Sequence, residues 1–220
     1  MRRNRTHSLA QGHTLLELLI VLAIFGLFTA GVFEVLLYMQ RVEGRQERQV
    51  NELQVVRFPF YQTLRELRMV GYPPGNNFDP LTRLQAPGLI ATGFLEASAN
   101  AVVFETDLDF DGSVERIEYR VAADGRSLRR QVFPKQIDGS LGAPLSTQET
   151  FIENLANQTL PAPLPVFSWD VEPDSAEPFP NNISVVYVSL AIEVRLDSRD
   201  PAKKEIIHLA GAARRINPRQ

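Results

Sequence analysis

Residues Gln11 to Phe28 read QGHTLLELLIVLAIFGLF, and from Leu15 onward every position is apolar or small except Glu17. A carboxylate near the middle of a membrane helix costs about 2.5–3.5 kcal/mol on insertion scales, so it marks a functional site with a partner by default. From Thr14 to Met39 the chain stays apolar apart from Glu17, Glu34 and a few small or hydroxylated residues. As a helix that length crosses a hydrocarbon core of about 30 Å. Upstream, MRRNRTHSLAQG carries Arg2, Arg3 and Arg5 and no acid. A short basic leader before an apolar run stays on the cytoplasmic side.

Three readings compete for this segment. A secretory signal peptide would be cut after the apolar run, where Ala30 and Gly31 are small but form no A-x-A site. A plain signal anchor would stay in the membrane. Neither has a use for Glu17. Cleavage between Gly12 and His13 would place a new N-terminus four residues before Glu17. The freed amine, with a pKa of about 7.7–8, is cationic at neutral pH. In an array of staggered helices, Glu17 of one subunit can neutralise the amine of a neighbour. Each charge is costly alone in lipid and far less so when paired.

The run G-H-T-L-L-E-L-L-I-V-L-A-I, beginning at Gly12, resembles the prepilin cleavage and methylation signature of type IV pilins and type II secretion pseudopilins. The resemblance covers residues 12 to about 40. It implies that Gly12 precedes the cut, that His13 becomes the N-methylated N-terminus, and that Glu17 serves assembly. His13 departs from the phenylalanine usual in the family, which puts its methylation in question more than its processing. LRELRMVGY and the β-rich remainder are similar to W-type minor pilins and J-type pseudopilins, and Glu17 is unlike the K-type tip pseudopilin. The resemblance implies a non-enzymatic minor pilin in the inner membrane, helping to prime a pilus. Its partners would be other minor pilins, the major pilin, a prepilin peptidase and an inner-membrane assembly platform. Two alternatives stay open: a J-type pseudopilin of type II secretion, and an adhesive or DNA-binding tip module.

Beyond Met39, QRVEGRQERQV is polar on every face, as solvated helices are. Val50, Leu53, Val56, Phe60, Leu64 and Leu67 then recur at spacings of three and four, an amphipathic stripe seeking a core. One helix is expected from about Thr14 to Val70, with a kink at Pro59, ended by GYPPG at Gly71 to Gly75. Residues 73–220 hold all but one of the 15 prolines. AVVFET, VERIEYRVA, SLRRQVF, ISVVYVSLAIEVRL and KEIIHLAGAARRI read as strands. DSRDPAKKE, Asp197 to Glu205, reads as the turn of a final hairpin, and PAPLPVFSWDVEPDSAEPFPNN as an irregular surface loop. The expected class is α+β: a long N-terminal helix packed on an antiparallel sheet. The expected segments are a leader at 1–12, a transmembrane helix at 13–40, an extracytoplasmic helix at 41–72 and a head at 73–220.

Composition narrows the chemistry. The 220 residues include no cysteine and only His7, His13 and His208, which removes disulfides, thiolate sites and histidine-rich metal sites. No common nucleotide-binding or nucleophile motif occurs. Net charge is −3, which argues against a global nucleic-acid footprint. Removing the leader leaves 20 basic against 26 acidic residues.

One motif stands apart. DLDFDGSVERIE, Asp107 to Glu118, fits the calcium-loop pattern D-x-[DN]-x-[DN]-G-x5-E. In that pattern Asp107, Asp109 and Asp111 supply carboxylates, Ser113 a carbonyl, Glu115 a direct or water-mediated oxygen and Glu118 a bidentate carboxylate, with calcium as the ion. The flanks read as strands, not the helices of an EF-hand. A polar hairpin tip with solvated charges is the competing reading, and an extended strand would carry Glu118 away. Three weaker signals complete the survey. RRINPR at the C-terminus reads as a solvated strand end that could touch DNA or anionic lipid. Trp169 reads as a packing anchor, and His208 as structural on an apolar strand.

Overall fold

The computed structural model describes residues 10–145, 149–173, 175, 177–195 and 204–216. The chain divides into two compact units, Met1–Val50 and Asn51–Gln220. Helix α1 spans Ala10–Arg68, a little earlier at both ends than expected. Its stretch Leu15–Gln40 is long and apolar enough to cross a membrane, and none of it is buried.

In the second unit the helix ends inside a core. Val56, Phe60, Leu64 and Leu67 of the expected stripe are buried, while the side chains of Val50 and Leu53 lie outside the described residues. Pro59 lies within the helix, and the Thr63 hydroxyl bonds the Pro59 carbonyl at 2.9 Å. Gly71, at φ +82°, turns the chain just beyond the helix, in the left-handed region that glycine tolerates. The last turns of α1 therefore pack into the core of the head.

Helix α2, Pro80–Gln85, follows, with Asp79 as its cap: the Asp79 carboxylate accepts from Thr82 N–H at 2.7 Å. The five-stranded sheet is an antiparallel meander of β1 (Phe94–Ser98), β2 (Ala101–Thr106), β3 (Glu115–Val121), β4 (Leu128–Pro134) and β5 (Glu149–Ile152), in sequential order. The second sheet has three antiparallel strands, β6 (Phe167–Val171), β7 (Ile183–Arg195) and β8 (Lys204–Arg214). The class is α+β. β7 and β8 pair from Val185↔Arg214 to Arg195↔Lys204, while most of the expected turn at 197–205 lies outside the described residues.

The helix end touches both sheets. Phe60 and Leu64 lie so close to β8 that a Cβ on Gly211 would come within 2.7 Å of Leu64 Cδ1. On the other sheet, buried Glu66 accepts from Tyr119 Oη at 2.6 Å and from Arg130 at 2.8 and 3.1 Å. Apolar side chains of the helix and both sheets, including Phe94, Phe104, Leu128, Phe167 and Leu190, form one cluster.

Three expectations are corrected here. The proline-rich segment is not wholly irregular, because β6 lies within it and pairs with β7. Trp169, in β6, packs against the core and against Phe179 at 5.6 Å between ring centroids, as a packing anchor does. His208, by contrast, is exposed on β8, because alternate residues of a strand face opposite ways and its neighbours Ile207 and Leu209 turn inward. The basic C-terminus is not simply a solvated strand end: Arg215 is buried and donates to the carbonyls of Val70 and Asn181, each at 3.0 Å.

Candidate functional site

The N-terminal candidates lie on one helix. Gly12 and His13 are within α1, and Glu17 follows about one turn after His13. Glu17 is exposed and sits in a run whose leucines, isoleucines and valines are exposed too. Among the described residues nothing pairs with it. A lone carboxylate on a bare apolar helix is unfavourable in lipid unless it is paired.

The acidic loop is built differently. The chain beyond α1 runs beside β2: Gly71 N–H bonds the Glu105 carbonyl at 2.9 Å, and Asp107 N–H bonds the Tyr72 carbonyl at 2.7 Å. This fixes the start of the β2–β3 turn against the helix end. The turn then reverses through Phe110 and Gly112, at φ +64° and +89°. Oxygens of Asp107, Asp109 and Glu115 all come within 4.8 Å of one another.

Backbone amides hold one oxygen of each of these carboxylates. Asp107 Oδ2 accepts from Gly112 N–H at 3.1 Å, Asp109 Oδ1 from Asp111 N–H at 3.3 Å, and Glu115 Oε2 from Leu108 N–H at 3.0 Å. Asp107 is 3% exposed, and its second oxygen, Oδ1, is buried with no hydrogen-bond partner. Glu115 is 7% exposed. Burial above all, and then the charges of Asp109, Asp111 and Asp107, hold its carboxyl above the usual range. Among the described residues no lysine or arginine forms an ion pair with any of the three.

The carboxylates of Asp111 and Glu118 fall outside this group. Asp111 and Ser113 are exposed, and Asp111 Oδ1 is taken up by Ser113 N–H at 2.7 Å. Glu118 lies in β3, where the pleat sends it to the face opposite Glu115, Ile117 and Tyr119. Its carboxylate accepts from Arg120 Nε at 3.3 Å. The helical flank that would fold a twelfth-position glutamate back over the loop is replaced by a strand.

Beside the loop, Phe58, Tyr61, Gln62 and Arg65 of α1 and Leu108, Asp109 and Phe110 of the turn line an open cavity of about 640 Å³. Phe110 meets Tyr72 edge to face at 5.5 Å. The sequence reading missed this groove; the exposed aromatics Phe58 and Tyr61, off the apolar stripe, were its only signal.

Comparison with known families adds one finding. The family model described as the prokaryotic N-terminal methylation motif matches residues 8–33. That match supports the type IV pilin and pseudopilin family and bears on the N-terminal segment alone. No curated protein and no solved structure matches the chain significantly.

Proposed function

We propose that this chain is a minor pilin of a type IV pilus. It enters the inner membrane through Leu15–Gln40 with its head outside the cytoplasm, is cut by a prepilin peptidase after Gly12, and joins other pilins to help prime the filament. The observation that carries this reading is Glu17, an acid without a partner among the described residues, on an exposed apolar helix inside a methylation motif. The amine released at His13 of a neighbouring subunit supplies the missing charge, and burial of the apolar helices against one another supplies the main attraction. The work of the molecule is assembly and not catalysis.

Intact mass and N-terminal sequencing of the chain from its native membrane test the processing step. A chain that starts at His13, with or without one added methyl group, supports the reading; one that starts at Met1 or near Gly31 sinks it. Glu17→Ala tests the pairing: the variant should be cut normally yet fail to enter filaments. Recovery in a secretion pseudopilus and not in a pilus would transfer the same assembly chemistry to a J-type pseudopilin.

A further inference from the structure

The β2–β3 turn has no role in the assembly reading, yet it is the most unusual electrostatic feature of the head. Three carboxylates converge, two of them buried, and among the described residues no cation pairs with them. Buried charges are costly unless paired or metal-bound. A polar hairpin tip would leave its acids in water; here Asp107 and Glu115 are out of it.

We propose that the turn binds one calcium-class divalent cation through Asp107, Asp109 and Glu115. Hard oxygen donors suit a hard cation, and calcium takes its oxygens at about 2.3–2.6 Å, so two oxygens on opposite sides of one ion stand about 5 Å apart. The three carboxylates meet that limit. The backbone amides fix one oxygen of each, so the side chains are aimed before an ion arrives. The buried second oxygen of Asp107, which has no hydrogen-bond partner, is the ligand atom most in need of a cation. Exposed Asp109 leaves the coordination sphere open to water, as calcium sites allow.

The set differs from a helix–loop–helix calcium site in a checkable way. Glu115, the first residue of β3, takes the place of the terminal glutamate, and Glu118 has no part. An ion there would join the start of the turn to the start of β3 and hold Phe110, at the turn's tip, against Tyr72 and the groove beside α1.

The test uses the full chain in detergent micelles, freed of metal with a chelator, and titrated with calcium chloride by calorimetry and by thermal melting. The expected result is saturable binding of one ion per chain and a higher melting temperature with calcium. Asp107→Asn and Glu115→Gln should abolish the binding heat, and Glu118→Gln should retain it. Because the first two alter buried positions, Asp109→Asn provides a variant at an exposed one, and it should weaken binding about tenfold or more. No saturable binding by the wild-type chain overturns the proposal. So does undiminished binding by folded Asp107→Asn or Asp109→Asn, and loss of binding in Glu118→Gln overturns the ligand set. None of these outcomes depends on which filament the chain enters.

Discussion

Arg130 on β4 donates two hydrogen bonds, at 2.8 and 3.1 Å, to the carboxylate of Glu66 on α1, 64 residues earlier in the chain. Glu66 is 2% exposed and also accepts from Gln62 Nε2 at 2.8 Å and Tyr119 Oη at 2.6 Å. The carboxylate is thus bonded on both oxygens by neighbours from α1, β3 and β4. A buried acid so fully satisfied fixes the rotation of the helix on the sheet, because any turn of α1 about its axis would strand the charge.

Removing one partner should therefore cost more than removing both. Arg130→Met should destabilise the head by about 3–5 kcal/mol, since it leaves Glu66 charged and buried. The double variant Glu66→Leu with Arg130→Met should recover part of that loss. Denaturant midpoints of the two variants decide it, and equal losses would show that the pair contributes nothing beyond packing.

Tyr119 gives the head an alkaline limit. Burial first, and then the Glu66 charge, push its phenol well above the usual tyrosine range, while Arg130 opposes them. A folded-state value above the unfolded one means that the folded chain holds this proton more tightly. The resulting stability is complete below about pH 10, the unfolded value, and is lost as pH rises toward the folded value. The chain has five tyrosines, and tyrosinate absorbance followed with circular dichroism should show Tyr119 ionising only together with unfolding. All five ionising while the native spectrum persists would sink this expectation. Tyr119→Phe should remove the coupled step.

Gly211 is required by a close approach of helix and strand. An alanine Cβ there would meet Leu64 Cδ1 at 2.7 Å and Phe60 Cζ at 3.0 Å. Gly211→Ala should lower stability by about 1–3 kcal/mol through overpacking. Pairing it with Leu64→Val, which frees space at the contact, should cost less than the two single effects summed. Thermal melts of the three variants measure the coupling.

Arg215 closes the far end of the core. Its Nε and one terminal nitrogen bond the Val70 and Asn181 carbonyls. Arg215→Ala should destabilise by about 1–3 kcal/mol, the cost of leaving buried acceptors unsatisfied. Amide exchange should quicken near Tyr72 and at the start of β7. An unchanged exchange pattern there would show that the carbonyls find other donors.

Much of this was legible in the sequence, and the losses have identifiable causes. β2, β7 and β8 were readable from their apolar runs and β3 from the alternation of Ile117, Tyr119 and Val121, whereas β4 (LRRQVFP) carries only a weak pattern. β1 (FLEAS), β5 (ETFI) and β6 (FSWDV) are short and carry polar residues, and β6 sits among prolines. What makes them strands is pairing with the neighbouring strand, β1 with β2, β5 with β4 and β6 with β7, which the composition of each short segment does not contain. The methylation motif was legible outright because it is a fixed spacing. The acidic turn was legible as a cluster, whereas its geometry depends on the pleat that separates Glu115 from Glu118.

The order in which the parts leave the ribosome has a consequence for timing. The apolar face of α1 is complete by Leu67, but Gly211, which lies against it, comes late, and the Arg215–Val70 bond just beyond the helix closes 145 residues of chain. The five-stranded meander can zip together hairpin by hairpin as it emerges, since each strand pairs with the one before it. Phe60 and Leu64 wait for β8. During synthesis the chain therefore carries an uncovered apolar helix end until its last described strand arrives, the interval in which a chaperone has most access to it.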